Sequence, residues 1–403
     1  MKFMTSIIKR LKQLDLLIIL LLIFFLIMEK KNVMFLAIFG ALLVGCSEEE
    51  IANVETSSQN AISFNVVSNA AETKATPITS SNLTTTDFDV FAYTADGTAF
   101  MGKDDAVMGH SGVKIEHNGT KWDYADQSDV HYWPATESLN FYAISPGSYS
   151  VDYVYHYMWN FNHEMQKIEY ACMDEYGKGE GKHADHDVMY GIALNQTKGT
   201  NNGVVKFTFK HILSQVVFKA RTELATMNVT ISSIKICNAK MSGTFTLPSD
   251  AETDPTTADN WVLKEGGAYN PTVIRNAAIE VKSNTEATDI SSKTPIFVIP
   301  QTLTKWVVAD DTKTIDNAKN AGQSYLEISC KIQQSGVYVC GSESTWQTIY
   351  VPFGASWEPG KRYIYTMIFG GGYDENGDAT LKPIIFDADV EDWVDDAEHE
   401  VNM

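Results

Sequence analysis

Val204-Val205-Lys206-Phe207-Thr208-Phe209-Lys210-His211-Ile212-Leu213-Ser214-Gln215-Val216-Val217-Phe218-Lys219-Ala220 is the stretch that decides the fold class. It is crowded with β-branched and aromatic side chains. These lose rotamer freedom in a helix but pack well on a pleated surface. Outward from it the same texture repeats. Ile62, Phe64 and Val66 alternate with Ser63, Asn65 and Val67, the pattern of a half-buried strand. Further strands are expected at 88–93, 121–124, 139–144 and 188–192. After the opening stretch they follow at 228–236, 294–299, 325–332, 336–340, 347–352, 363–369 and 383–390. Residues 70–86, rich in Thr, Ser, Ala and Pro, read as a loop, and the low-apolar stretches 248–260 and 308–322 as surface loops. Strands this dense, parted by Gly, Pro, Asn and Asp turns, give an all-β chain built of β-sandwiches.

At 403 residues the chain holds about two domains once targeting residues are set aside. A polar stretch, 195–203, divides 61–203 from 204–403, with 1–45 as targeting region and 46–60 as an acidic linker. With 44% hydrophobic and 20% charged residues the chain can bury an ample core. A formal charge of -20 argues against nucleic acid, whose phosphates need Lys and Arg. It also repels anionic lipid, so membrane attachment should be covalent or inserted. Five cysteines without a CxxC pair leave no thiol zinc site and no thioredoxin-like motif.

Two apolar runs precede Cys46. The first, 16–27, follows Lys9, Arg10 and Lys12; the second opens at Met28 with Glu29-Lys30-Lys31 and ends Leu43-Val44-Gly45-Cys46. A short basic region, an apolar stretch of about 12 residues and small residues before a cut form a secretory signal. A bilayer span needs about 20. Met28 alone starts a complete signal, so 1–27 read as sequence upstream of the true start, with a first transmembrane helix as the alternative. Leu43-Val44-Gly45-Cys46 resembles a lipobox. That resemblance implies cleavage between Gly45 and Cys46 and acyl chains on Cys46 that anchor the protein stably in the outer membrane. Ser47-Glu48-Glu49-Glu50 reads as a solvated spacer, and it also resembles the acidic signal that sends lipoproteins to the outer face.

Residue patterns that carry chemistry are sparse. No G-x-S-x-G elbow or H-E-x-x-H helix occurs, so the expectation is a protein with no catalytic role, cofactor or metal. Asp374-Glu375-Asn376-Gly377-Asp378 has Ala379 and Ile385 where a calcium loop needs Gly and Glu, and reads as an Asn-Gly hairpin turn. His183-Ala184-Asp185-His186-Asp187 follows a Gly-rich loop and reads as a solvated turn. Cys330 and Cys340 flank Gln333-Gln334-Ser335-Gly336, a hairpin that would hold either a disulfide or two buried thiols. Between 149 and 161 aromatics fall on alternate positions and so on one strand face. That face is either core or an exposed platform, with Tyr153, Tyr155, Tyr157 and Trp159 stacking on a sugar or other receptor.

A wider resemblance rests on segments in order: Glu72-Thr73-Lys74-Ala75-Thr76-Pro77, Phe88-Asp89-Val90-Phe91-Ala92-Tyr93, Tyr132-Trp133-Pro134 with Leu139-Asn140-Phe141-Tyr142-Ala143, Asp187-Val188-Met189-Tyr190-Gly191, Phe209-Lys210-His211-Ile212-Leu213-Ser214-Gln215-Val216, Ile299-Pro300-Gln301, Trp357-Glu358-Pro359-Gly360-Lys361-Arg362-Tyr363 and Val390-Glu391-Asp392-Trp393. Together they resemble the fimbrillin-like proteins, lipoprotein-derived pilus subunits of anaerobic gut and oral bacteria. The resemblance implies two tandem transthyretin-like β-sandwiches. It also implies a protease that cuts the first loop after an arginine and removes the first strand. The groove that strand leaves then takes a strand from the next subunit. Here the displaceable strand would be Ile62, Phe64 and Val66, and the cut would fall between Lys74 and Ala75. Lysine replaces the expected arginine, so a subunit that keeps its first strand, as a cap or anchor, is the alternative. Implied partners are other pilus subunits, outer-membrane lipid through Cys46, and a host or bacterial surface glycan or protein. The expected role is a surface-exposed pilus subunit or accessory adhesin. The rival is a monomeric glycan-binding lipoprotein of a nutrient-uptake system.

Overall fold

Period-2 alternation in the first part of the chain becomes a curled sheet in the computed structural model. Described are residues 60–66, 83–102, 112–147, 157–172, 187–264, 268–370, 372–380 and 384–392. All lie in one compact unit, Ser57–Met403. Met28, Gly45, Cys46, the acidic run 47–50, Lys74, Ala75, Tyr153, Tyr155 and His183 to His186 fall outside the described residues. Among those that are described, no helix is long and apolar enough to cross a membrane.

The chain enters as β1 (Ser63–Val66), then β2 (Phe88–Thr94), β3 (Val113–His117), β4 (Trp122–Tyr124) and β5 (Leu139–Ser145). It leaves as a hairpin of β6 (Tyr157–Asn162) and β7 (Lys167–Cys172), and returns as β8 (Met189–Gln196), β9 (Val204–Phe207) and β10 (Lys210–His211). The hydrogen-bonded order is β9-β1-β4-β3-β2-β5-β8-β10. The sheet curls until Phe207 on β9 lies on Gly191 of β8, where a Cβ would come within 3.1 Å of the ring. Phe64, Phe88, Trp122, Phe141 and Phe207 fill the inside of the curl.

The remaining chain supplies β11 (Ser214–Thr222), β12 (Met227–Cys237), β13 (Ser242–Thr246), β14 (Trp261–Leu263), β15 (Ile279–Val281), β16 (Ile296–Val298), β17 (Tyr325–Gln334), β18 (Val337–Cys340), β19 (Gln347–Pro352), β20 (Lys361–Phe369) and β21 (Ile385–Asp392). β11 pairs with β16 and, in parallel, with β20, whose other edge carries β21. β12 pairs with β15 and β17, and β17 with β18 and β19. Inward residues of both sheets, among them Val216, Phe218, Ile231, Ile328 and Tyr365, share one apolar core. β13 and β14 join β7 and β6 in a further sheet that covers the other side of β2 and β5. Phe161 sits 5.0 Å from Phe91 and 5.5 Å from Tyr142, ring centre to ring centre. These sheets stacked face to face are the all-β, sandwich-like architecture that the strand pattern implies.

Strand pairing alters one boundary. The polar stretch 195–203, expected to divide 61–203 from 204–403, is a turn joining β8 to β9 of the same sheet. Its left-handed residues Asn195, Asn201, Asn202 and Gly203 reverse the chain there. The stretch 204–220 forms three strands, parted at Thr208-Phe209 and at the fully buried Ile212-Leu213. The loops 248–260 and 308–322 hold short helices capped by Thr256 and Thr314. Segments distant in sequence also lock together. The Ser214 hydroxyl donates to the Glu358 carbonyl at 2.8 Å, the Gly360 N–H donates to Leu213 at 2.9 Å, and the Gln301 amide donates to Lys240 at 2.7 Å.

Candidate functional site

The first strand is held as an insert between two other strands. Ser63, Phe64, Asn65 and Val66 stand opposite Val204, Val205, Lys206 and Phe207 in a parallel ladder with β9, and Phe64 stands opposite Trp122 of β4, antiparallel. The residues just before β1 extend the grip. The Ile62 N–H donates to His131 at 2.9 Å, and the Trp133 N–H donates to Asn60 at 3.0 Å.

Alternation decides what enters the core. Ile62 and Phe64 are 1% and 5% exposed, while Ser63 and Asn65 point outward. Phe64 stacks on Phe207 at 6.3 Å with planes 9° apart and meets Tyr124 and Phe141 edge-on at 5.7 and 6.3 Å. Val66 is half-buried against the same cluster. Gly203 (φ 78°) closes one end of the slot; its carbonyl accepts the Trp133 indole N–H at 3.0 Å. A Cβ at Gly203 would stand 3.2 Å from that nitrogen, so the close approach needs glycine. At the other wall the Tyr124 hydroxyl accepts the His131 N–H at 3.3 Å, and burial raises its pKa.

The magnitudes describe a firmly seated strand. Burying Ile62 and Phe64 contributes about 1.5–3 kcal/mol each. That is a large share of the roughly 5–15 kcal/mol by which a domain is stable. Taking β1 away would leave the facing backbone groups of β9 and β4 unpaired over an apolar trough. Such a slot is a template for another strand laid parallel to β9.

Trp159, a candidate for an exposed aromatic platform, is 2% exposed and its indole donates to the Pro146 carbonyl at 3.1 Å. It is a core residue, as is Phe161 at 1%. The platform reading fails at Trp159 because that face of β6 packs on β2 and β5, where its neighbour Phe161 meets Phe91 and Tyr142. Tyr157 pairs with Cys172 in the β6–β7 ladder. Cys330 and Cys340 are buried free thiols; Cys340 stands opposite Ile332 and Cys330 opposite Gln347, so the two are diagonal neighbours. A hydrogen bond between the thiols, and then burial, pushes Cys330 up. In the Asp374 turn, one carboxylate oxygen accepts the N–H groups of Asn376 and Asp378 at 2.9 Å each, the work of a turn residue. Asp187 is fully buried with a carboxylate oxygen 2.7 Å from His211 Nδ1. Among the described residues no three His, Cys, Asp or Glu side chains are placed to share a metal ion. The sequence reading missed the walls of the slot: Trp133, Gly203 and Phe207 are brought to β1 by pairing across the whole first sheet.

A family model described as fimbrillin-like matches residues 73–393. The match starts at Thr73, after β1 and at the segment carrying Lys74. No curated protein sequence matches. Among solved structures, a fimbrial protein from Bacteroides vulgatus is 13% identical, covering 83% of this chain and 100% of its own, with a TM-score of 0.53. A candidate cell adhesion protein from Bacteroides uniformis is 13% identical over 83% of this chain and 99% of its own, with a TM-score of 0.44. A fimbrial assembly protein from Parabacteroides distasonis is 11% identical over 77% of this chain and 91% of its own, with a TM-score of 0.33.

Proposed function

The chain belongs to the fimbrillin-like family, and from that premise we propose that it is a surface-exposed pilus subunit or accessory adhesin, anchored by lipid on Cys46, that joins other subunits by strand exchange. The observation that carries the reading is the seat of β1 between β9 and β4, with Ile62 and Phe64 as its apolar anchors. The strand lies upstream of Lys74, so a cut between Lys74 and Ala75 would separate it, together with the lipid, from the body of the protein. The slot would then take a strand of another copy. If the bond is left intact, the chain keeps its own strand and stays fixed at Cys46 as an anchor or cap. The protein acts through binding and assembly, without a catalytic step. Its place is the outer face of the outer membrane or the fibre that grows from it.

Shearing the surface fibres from cells and blotting the fraction tests this. The protein is expected in the fibre fraction, as multimers that survive cold detergent and fall to monomer on boiling. Recovery only as a monomer in the membrane fraction, with fibres free of it, would sink the assembly reading.

A further inference from the structure

Alternation along β1 settles which of its residues face solvent. Ile62 and Phe64 point into the core, and Ser63 and Asn65 point out. Asn65 stands directly across from Lys206 of β9, which is exposed as well. On the other flank Phe64 faces Trp122 in antiparallel pairing, so Lys121 comes across from Asn65 and Asp123 across from Ser63. The outward position 65 therefore lies between two lysines, one on each strand that walls the slot. Opposed residues on one face of a sheet have Cβ atoms about 4.5–5.5 Å apart, within reach of a charged pair. The chain's own strand offers no charge there. Asn65 is neutral, and its carboxamide oxygen accepts the N–H of its neighbour Val66 at 2.9 Å.

The charges around position 65 do not balance. Lys121 already pairs with Asp123 at 2.9 Å on its own strand. Glu116 of β3 stands across from Asp123, one strand further from β1. Two strand spacings are about 10 Å, which is past the screening length of about 8 Å at physiological salt. Lys206 makes no ion pair among the described residues. A surplus of positive charge thus stands at this spot on a chain whose formal charge is -20. A carboxylate at position 65 would meet Lys206 directly and share Lys121, whereas a lysine there would stand against both. Opposite charges across strands stabilise, like charges destabilise, and at an interface the difference excludes wrong partners. An exposed pair changes affinity only severalfold, so it decides which strand binds more than whether one binds. The buried side sets the other requirement, because Phe207, Tyr124 and Phe141 surround the ring of Phe64.

We propose that Lys206, aided by Lys121, is the specificity determinant of the slot. It selects an incoming strand that keeps an aromatic residue at the place of Phe64 and carries Asp or Glu at the place of Asn65. The proposal rests on the strand-exchange reading and adds the chemistry of the donor. It also gives exchange a direction, since the entering strand brings a charge at position 65 that the departing strand, with Asn65, lacks.

The test uses the purified full chain with a site-specific protease sequence at 71–77, cut so that β1 is held without a covalent link. Fluorescent peptides of sequence 60–66 compete for the slot, either unchanged or carrying Asn65→Asp, Asn65→Lys or Phe64→Ala, and anisotropy reads their affinity. At low salt the Asn65→Asp peptide is expected to bind about threefold tighter than the unchanged one, and the Asn65→Lys peptide about threefold weaker. Both gaps should close at high salt, and the Phe64→Ala peptide should not compete. In the protein, Lys206→Gln should shrink the gaps and Lys206→Glu should invert the order. Equal binding by the three Asn65 forms, competition by Phe64→Ala, or an order unchanged in Lys206→Glu would overturn the selection and leave strand exchange standing. Failure of every peptide to enter the slot would overturn both.

Discussion

Phe64 carries more of the account than any other side chain, because it touches three rings and both neighbouring strands at once. Phe64→Ala should cost about 3–5 kcal/mol in urea unfolding, while Ser63→Ala, pointing outward, should stay within about 0.5 kcal/mol. Equal effects would mean that alternation does not govern this strand. The thiols make a second prediction. Burial pushes Cys237 up to about 12 and a hydrogen bond with burial raises Cys330. Iodoacetamide at pH 8 should therefore leave both unmodified in the native protein and label both in denaturant; rapid native labelling would contradict their environment. At this scale the sequence was partly legible. The pattern at 62–66 told which side chains go in, since alternation is local. It could not tell whether the aromatic face around Trp159 is covered, because cover comes from the packing of one sheet on another, here on β2 and β5.

As an element, β1 should behave as a detachable insert. A chain lacking residues 60–66 is expected to melt at lower temperature and to bind a dye for apolar surface. A synthetic peptide of that sequence should restore both properties, and the same peptide with Phe64→Ala should not. A truncated chain with unchanged melting would show that the slot closes without its strand. Strand positions were readable from β-branched and aromatic density, and most observed strands fall where that density predicts them. Pairing was not. The parallel partnership of β1 with β9 joins Ser63 to Val204, far apart in sequence, and no local pattern encodes it. The polar stretch at 195–203 misled for the same reason. Asn and Gly mark a sharp reversal equally well whether the chain then begins a new half or returns to the old sheet.

Over the whole molecule, buried tyrosines set the alkaline limit. Tyr124, Tyr190 and Tyr325 are raised by burial, and Tyr365, whose hydroxyl accepts the Trp357 indole N–H, is pushed up to about 12. An unfolded tyrosine titrates near 10. Above that pH the folded state binds protons that the unfolded state has lost. The stabilisation, complete below about pH 10, is therefore lost as pH rises towards 12. Urea midpoints should fall steeply between pH 10 and 12; a flat profile would place these hydroxyls in water. The central claim remains that the β1 slot accepts a strand from another copy. A site-specific protease sequence built into residues 71–77 would allow the purified chain to be cut there, freed of its first strand in mild urea, and returned to buffer. On an unheated detergent gel the account predicts a ladder of multimers that collapses on boiling and is blocked by excess 60–66 peptide. A single monomer band before and after cutting would contradict it.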